Sequence, residues 1–311
     1  IMRTRWLFNL ALFGVVIILG LIAVFEPGIK PPVKLPPLTT LSPEQVKKIR
    51  LVRSSDTIEF ERNVQGQWQI ISPVKLLANS YRLKNLLNFL EEQDYKKLAA
   101  NELKLADIKL APPLLQITFD QLTVAFGEAS PLKDGKRYLQ LSNQPESVWL
   151  VRDNIYRALT DAVWSFVNLS PLEESIKLKE LQLPDYHLIL KAGTWTLAQP
   201  APATINSSTD ALNTLIDNWQ HLQAIDVANY DESLPTTGEV TVTLEGQSAP
   251  LKFLIQATTP DLILARPDKL VRYKIPAYQV DELLHLPNKS LPKDEMGTPT
   301  TPENDTVEIE E

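Results

Sequence analysis

Apolar and polar residues alternate along two stretches of this chain that lie 127 residues apart and share the same turn. Ile58 and Phe60, then Val64-Gln-Gly66, then Trp68 and Ile70 predict strand, turn and strand. His187 to Leu190, Gly193, Trp195 and Leu197 predict the same hairpin again. Both are written Gly-x-Trp-x-(Ile/Leu)-x-x-Pro, with Gly66, Trp68 and Pro73 in one and Gly193, Trp195 and Pro200 in the other. Three letters recurring at matched spacing by accident is about a one-in-a-hundred event, so a duplicated β-rich module is the stronger reading.

The residues after each hairpin support duplication. Leu83, Leu86, Leu87 and Leu90 fall on one face of a helix, and Leu212, Leu215, Ile216 and Trp219 reproduce the spacing. Ser80 and Ser208 are available to cap these helices. Alternating strands come next: Leu115, Ile117 and Phe119 against Val240, Val242 and Leu244, then Leu122, Val124 and Phe126 against Leu251, Phe253 and Ile255. Leu139, Leu141, Val148 and Leu150 are matched more loosely by Leu262, Leu264, Val271, Tyr273 and Ile275. Ile155, Leu159, Val163 and Phe166 predict a closing helix in the first copy, and Pro276 opens a shorter one in the second, ending near Leu284. Alternation, rather than continuous apolar runs, predicts antiparallel sheets with one wet face. The expected class is α+β: two tandem antiparallel-sheet-plus-helix repeats, over residues 44–170 and 171–286.

A different pattern opens the chain. From Trp6 to Phe25 the only strongly polar residue is Asn9. A helix of twenty residues spans about 30 Å, the thickness of a bilayer's hydrocarbon core. Arg3 and Arg5 precede it, which predicts an uncleaved signal anchor (residues 1–26, membrane helix 6–25) with its N-terminus cytoplasmic. A cleaved signal peptide fits less well, because the apolar stretch is long and ends Ala-Val-Phe-Glu-Pro. Six prolines between Pro27 and Pro43 predict an extended, stiff stalk over 27–43.

Composition adds location more than chemistry. The net charge is −7, but residues 287–311 carry −5 of it, so the low pI belongs to an acidic tail expected to be disordered. Nucleic acid is an unexpected partner. The absence of cysteine excludes disulfides, thiolate metal sites and a lipobox, and suits a bacterial periplasm. His187, His221 and His285 are scattered, with no metal-binding spacing, and neither a Gly-x-Ser-x-Gly elbow nor a phosphate loop is present. No catalytic, cofactor or metal residue is therefore assigned, and no enzyme activity is expected. Glu91, Glu92 and Asp94 read as a solvated helix face. The segment from Arg266 to Lys274 is the better patch: Val271, Tyr273 and Ile275 face inward while Arg272 and Lys274 face out. With Arg266 and Lys269 they make a candidate surface for anionic lipid heads or an acidic partner, set against an ordinary charged face.

The hairpin GQWQIISP, the leucine helix, and then VAFGEASPLKDGKRYLQL and VWLV resemble bitopic bacterial envelope proteins catalogued only as a domain of unknown function. The resemblance covers roughly residues 41–286. Members of that family are often encoded beside genes for gliding-type ABC transporters. The resemblance implies a periplasm-facing inner-membrane protein whose partners are envelope or inner-membrane proteins, an ABC-type transporter among them, and it supplies no catalytic residues. The expected function is a non-enzymatic scaffold or adaptor held by residues 6–25. A ligand- or glycan-binding module is the alternative, and a carboxylate-based cell-wall hydrolase a distant third.

Overall fold

Period-two alternation is realised as strands almost wherever it occurs. The computed structural model describes residues 2–25, 35–172 and 176–289. Helix α1 (Met2–Phe25) is followed by β1 (Lys48–Arg53), β2 (Thr57–Arg62), β3 (Trp68–Ser72), β4 (Leu76–Leu77), α2 (Ser80–Asn88) and β5 (Tyr95–Ala99). Then come β6 (Leu115–Phe119), β7 (Leu122–Ala129), β8 (Lys136–Leu141), β9 (Ser147–Arg152) and α3 (Tyr156–Thr160). The remainder is β10 (Leu178–Gln182), β11 (His187–Lys191), β12 (Thr194–Leu197), α4 (Thr209–Gln220), β13 (Asp226–Asn229), β14 (Gly238–Leu244), β15 (Leu251–Ala257), β16 (Leu262–Arg266), β17 (Val271–Ile275) and α5 (Val280–Leu284).

The strands belong to two sheets, and every pairing described is antiparallel. With the few helices this is the expected α+β class. The chain also divides into two compact units, one from Ile1–Val46, Leu86–Leu114 and Leu122–Ile155, the other from Lys47–Asn85, Leu115–Gln121 and Tyr156–Glu311. In the first unit the strands run β7-β8-β9-β5; in the second they run β4-β3-β2-β1-β6, together with the eight-stranded β12-β11-β10-β14-β15-β16-β17-β13. Strand for strand, β3-β2-β1-β6 matches β12-β11-β10-β14 in order, and β7-β8-β9-β5 matches β15-β16-β17-β13. The β7–β8 register shifts between Phe126 and Ala129, and the β15–β16 register shifts between Ile255 and Ala257. A bulge therefore sits at the corresponding place in each.

The inward positions are those that alternation predicts. Ile49, Leu51, Ile58, Phe60 and Ile70 are buried, as are Val240, Val242, Phe253, Leu264 and Tyr273. Gly66 and Gly193 close their hairpins at φ +79° and +80°, a region that disfavours side chains. Ser208 caps α4 as expected, its Oγ accepting from Ala211 N at 3.3 Å. At α2 the cap is Asn79 rather than Ser80, with Asn79 Oδ1 accepting from Arg82 N at 3.1 Å.

The closing helix predicted over 155–166 is cut short. α3 ends at Thr160, and Val163–Phe166 form a separate 3₁₀ turn. The carbonyls of Leu159 and Asp161, which a continuing helix would use, instead accept from Arg53 Nη1. Arg53 also forks onto Asp56 through two 2.6 Å contacts, and its side chain is 8% exposed. Arg53→Met, which keeps the stem but no donors, is expected to cost about 3 kcal/mol, read as a lowered urea midpoint. The hydrogen bond from Arg53 holds the Asp56 carboxyl below the usual carboxylate range. That stabilisation is present above the unfolded-state pKa of about 4 and is lost as pH falls through the lower folded value. Asp56→Asn is expected to remove this acid dependence from the unfolding curve.

Residues 2–25 form one 24-residue helix in which the side chains of Trp6, Leu10, Leu12 and Phe13 are exposed. The side chains of 1–5, 7–9 and 21–25 lie outside the described residues. Among the described residues no helix is long and apolar enough to cross a membrane. Of the predicted stalk, residues 27–34 lie outside the described residues, as do residues 290–311 of the predicted tail. At the stalk's end Leu38 and Thr39 are buried, their N–H groups donating to the carbonyls of Glu92 and Leu90 at 2.8 and 3.1 Å.

Candidate functional site

The basic patch predicted around β17 does not form as one surface. Pairing sets Arg266 opposite Val271, Ala265 opposite Arg272, and Ile263 opposite Lys274. Cross-strand partners share a face, so Arg266 lies on the inward face with Tyr273, and Arg272 and Lys274 on the wet face. Acids stand beside Lys274. Lys274 Nζ lies 3.2 Å from Asp261, Asp226 stands opposite Lys274 on β13, and Asp226 and Asp261 line the same groove as the two cations.

Arg266 and Lys269 instead line a cavity of about 410 Å³. All of its lining residues belong to the second compact unit. Three stretches far apart in sequence meet there: 69–77 from β3 and β4, 167–172 after α3, and residues of β14 to β17 with their connections. Lys75, Arg266 and Lys269 bring positive charge, and among the described residues no carboxylate lines it. Arg266 forks onto Asp268 at 2.6 and 3.2 Å and lies 5.7 Å above the ring centre of Phe253, which fixes its guanidinium. Gln69, Asn168 and Gln247 contribute amides, and Leu76, Leu172 and Leu251 apolar surface.

Tyr273 is 4% exposed, and its hydroxyl makes no hydrogen bond among the described residues. Burial pushes its phenol up to about 12, so it is protonated at neutral pH and able to donate. Two signals in the sequence pointed here: inward alternation at Val271, Tyr273 and Ile275, and the basic residues Arg266 and Lys269 of the candidate patch; nothing in it singles out Lys75.

The hairpin markers are structural. Trp68 and Trp195 are buried at 6% and 9% exposure, and Arg62 lies 4.7 Å from the Trp68 ring centre while donating to Gly66 O. His187 meets Glu180 at 2.5 Å, and His221 Nδ1 faces the Asp217 carbonyl at 3.0 Å. Asp94, predicted to be merely solvated, takes Lys136 at 2.9 Å and Arg152 at 2.8 Å. Hydrogen bonds from Lys136 and then Arg152 hold its carboxyl low. Among the described residues no group of three acids or histidines is placed to hold a metal ion.

Residues 68–239 match the family described as Domain of unknown function (DUF4340), more than half of the 311 residues. The chain belongs to this family. The DUF4340 match begins at Trp68 of the first hairpin and ends in β14, so it includes the second hairpin as well. No curated protein and no solved structure matches the chain.

Proposed function

We propose that this DUF4340 protein is a non-enzymatic adaptor, anchored in a bacterial inner membrane by residues 6–25 and facing the periplasm, which takes an extended segment of a partner protein onto the outer edge of β12. The observation that carries the reading is an asymmetry between otherwise matched sheets. In one, β3 is covered by β4, Gln69 pairing with Leu77 and Ile70 with Leu76. In the other, the corresponding stretch turns away: Ile205 bridges Asn288, and Lys289 N donates to Thr204 O. Among the described residues β12 pairs with β11 alone.

Ala198 N donates to His187 O, so strict alternation turns the backbone groups of Trp195 and Leu197 outward. Natural edges are blunted by charge or brevity. β5 carries Lys96 and Lys97, β13 carries Asp226, and β4 is two residues long, whereas β12 reads Thr-Trp-Thr-Leu. An uncharged edge beside a packed tryptophan is suited to strand addition. The apolar run 6–25 with Arg3 and Arg5 supports the anchor, the shared strand order supports duplication, and the family resemblance supports an envelope or transporter-associated partner.

Leu197→Pro removes one outward donor and leaves the bonds to β11 in place. The full chain, solubilised with its membrane in mild detergent, is expected to co-purify with a partner that the variant loses while keeping its melting temperature. A wild-type chain that elutes alone, or a partner indifferent to the substitution, would count against the adaptor. Protease protection in spheroplasts tests the orientation.

A further inference from the structure

We propose that the cavity lined by Lys75, Arg266, Lys269 and Tyr273 binds a small anionic ligand with an apolar body, its carboxylate or phosphate head on the cations and its body against Leu76, Leu172 and Leu251. The inference goes beyond the adaptor reading and does not depend on it, since β12 contributes nothing to the lining.

Four observations converge. First, among the described residues the lining carries three cations, Lys75, Arg266 and Lys269, and no carboxylate. Neither Lys75 nor Lys269 makes a hydrogen bond or ion pair among the described residues, so both ammonium groups are available to a ligand. Second, Arg266 is held in place rather than left to swing. Asp268 holds the Nε and Nη2 edge of its guanidinium and the Phe253 ring lies 5.7 Å from its centre, so its orientation is set before anything binds. Third, Tyr273 lines the cavity and its hydroxyl makes no hydrogen bond among the described residues, so it can donate to an arriving acceptor. Fourth, the apolar and polar lining are mixed, and a volume of about 410 Å³ lies at the lower end of small-molecule sites. That size suits a short amphiphile and not a polymer strand.

The test uses the full chain in phosphatidylcholine vesicles, titrated with hexanoate and with hexyl phosphate and followed by calorimetry, with hexylamine as the control of opposite charge. Saturable binding of either anion, and none of the amine, is expected; which anion binds more tightly tells a carboxylate head from a phosphate head. The double variant Lys75→Gln/Lys269→Gln is expected to weaken binding about tenfold. Tyr273→Phe is expected to weaken it about fivefold with an unchanged melting temperature, because the hydroxyl has no protein partner to lose. Lys274→Gln, on the opposite face of β17, is expected to leave it unchanged. Saturation by neither anion, equal binding of the amine, or undiminished affinity in the double variant would each overturn the proposal.

Discussion

Gly127→Ala is expected to cost about 3 kcal/mol and to lower the melting temperature by roughly 6–12 °C. A Cβ at this position would stand 2.4 Å from the backbone oxygen of Ile108 and 3.0 Å from Leu110 Cγ. The obstacle is main chain, so rotamer changes give no relief. The close approach exists because the loop before β6 is stitched to the end of β7: Glu128 N donates to Ile108 O at 2.9 Å, and Leu114 N donates to Phe126 O at 2.8 Å. Arg137 reaches the Gly127 carbonyl at 2.7 Å and pairs with Asp153 at 2.8 Å, so β7 is also held from the other side. Relief must come from the loop, with loss of the Glu128 bond. Hydrogen exchange at the Glu128 and Leu114 amides should accelerate in the variant, and retention of wild-type protection there would refute the steric account.

Trp219→Ala is expected to be the most damaging single change, at about 4 kcal/mol. Its ring is fully buried on α4, 6.0 Å from the Phe253 centroid. Its Nε1–H donates to the carbonyl of Leu283 at 2.8 Å, while Asn218 Nδ2 donates to Glu282 O at 3.1 Å. One tryptophan thus fills the sheet–helix interior and ties down α5. Trp219→Phe separates the two roles: it keeps most of the apolar volume but strands the Leu283 carbonyl, and is expected to cost about 2 kcal/mol. Urea midpoints of the two variants measure the difference. Equal losses would mean that the hydrogen bond to Leu283 alone matters, and a Phe variant as stable as wild type that packing alone does.

How much could be seen beforehand depended on whether the deciding contact was local. The hairpin at Ile58 to Ile70 was legible because two alternating runs flank a turn glycine, and each of those signals sits within a few residues. β5 was not, because Tyr95–Ala99 is an edge strand whose burial does not alternate. β1 and β10, which precede each hairpin, were also missed: each is short, with few inward apolar positions set among charged ones. The helix read through Phe166 had the right apolar spacing, but its termination lies in Arg53, 106 residues away from Leu159. The second copy lacks the Phe-Gly-Glu letters of the first, yet it bulges at the matching place with Gln256, whose amide donates to Asp231 O. The geometry is shared where the letters are not. Of the basic patch, alternation correctly placed Tyr273 inside and Arg272 and Lys274 outside. It could not show that Arg266 crosses to the inner face and meets Lys75, since β3–β4 and β16 are brought together only by the folded chain.

An open, neutral strand has a cost when production is unbalanced. If a partner takes β12 as proposed, copies made in excess of it would have the same four residues to offer one another, and like edges zip together readily. Gene dosage would then set the yield of intact protein as much as temperature does, and expression alongside the natural binding companion would be the condition under which overproduction succeeds.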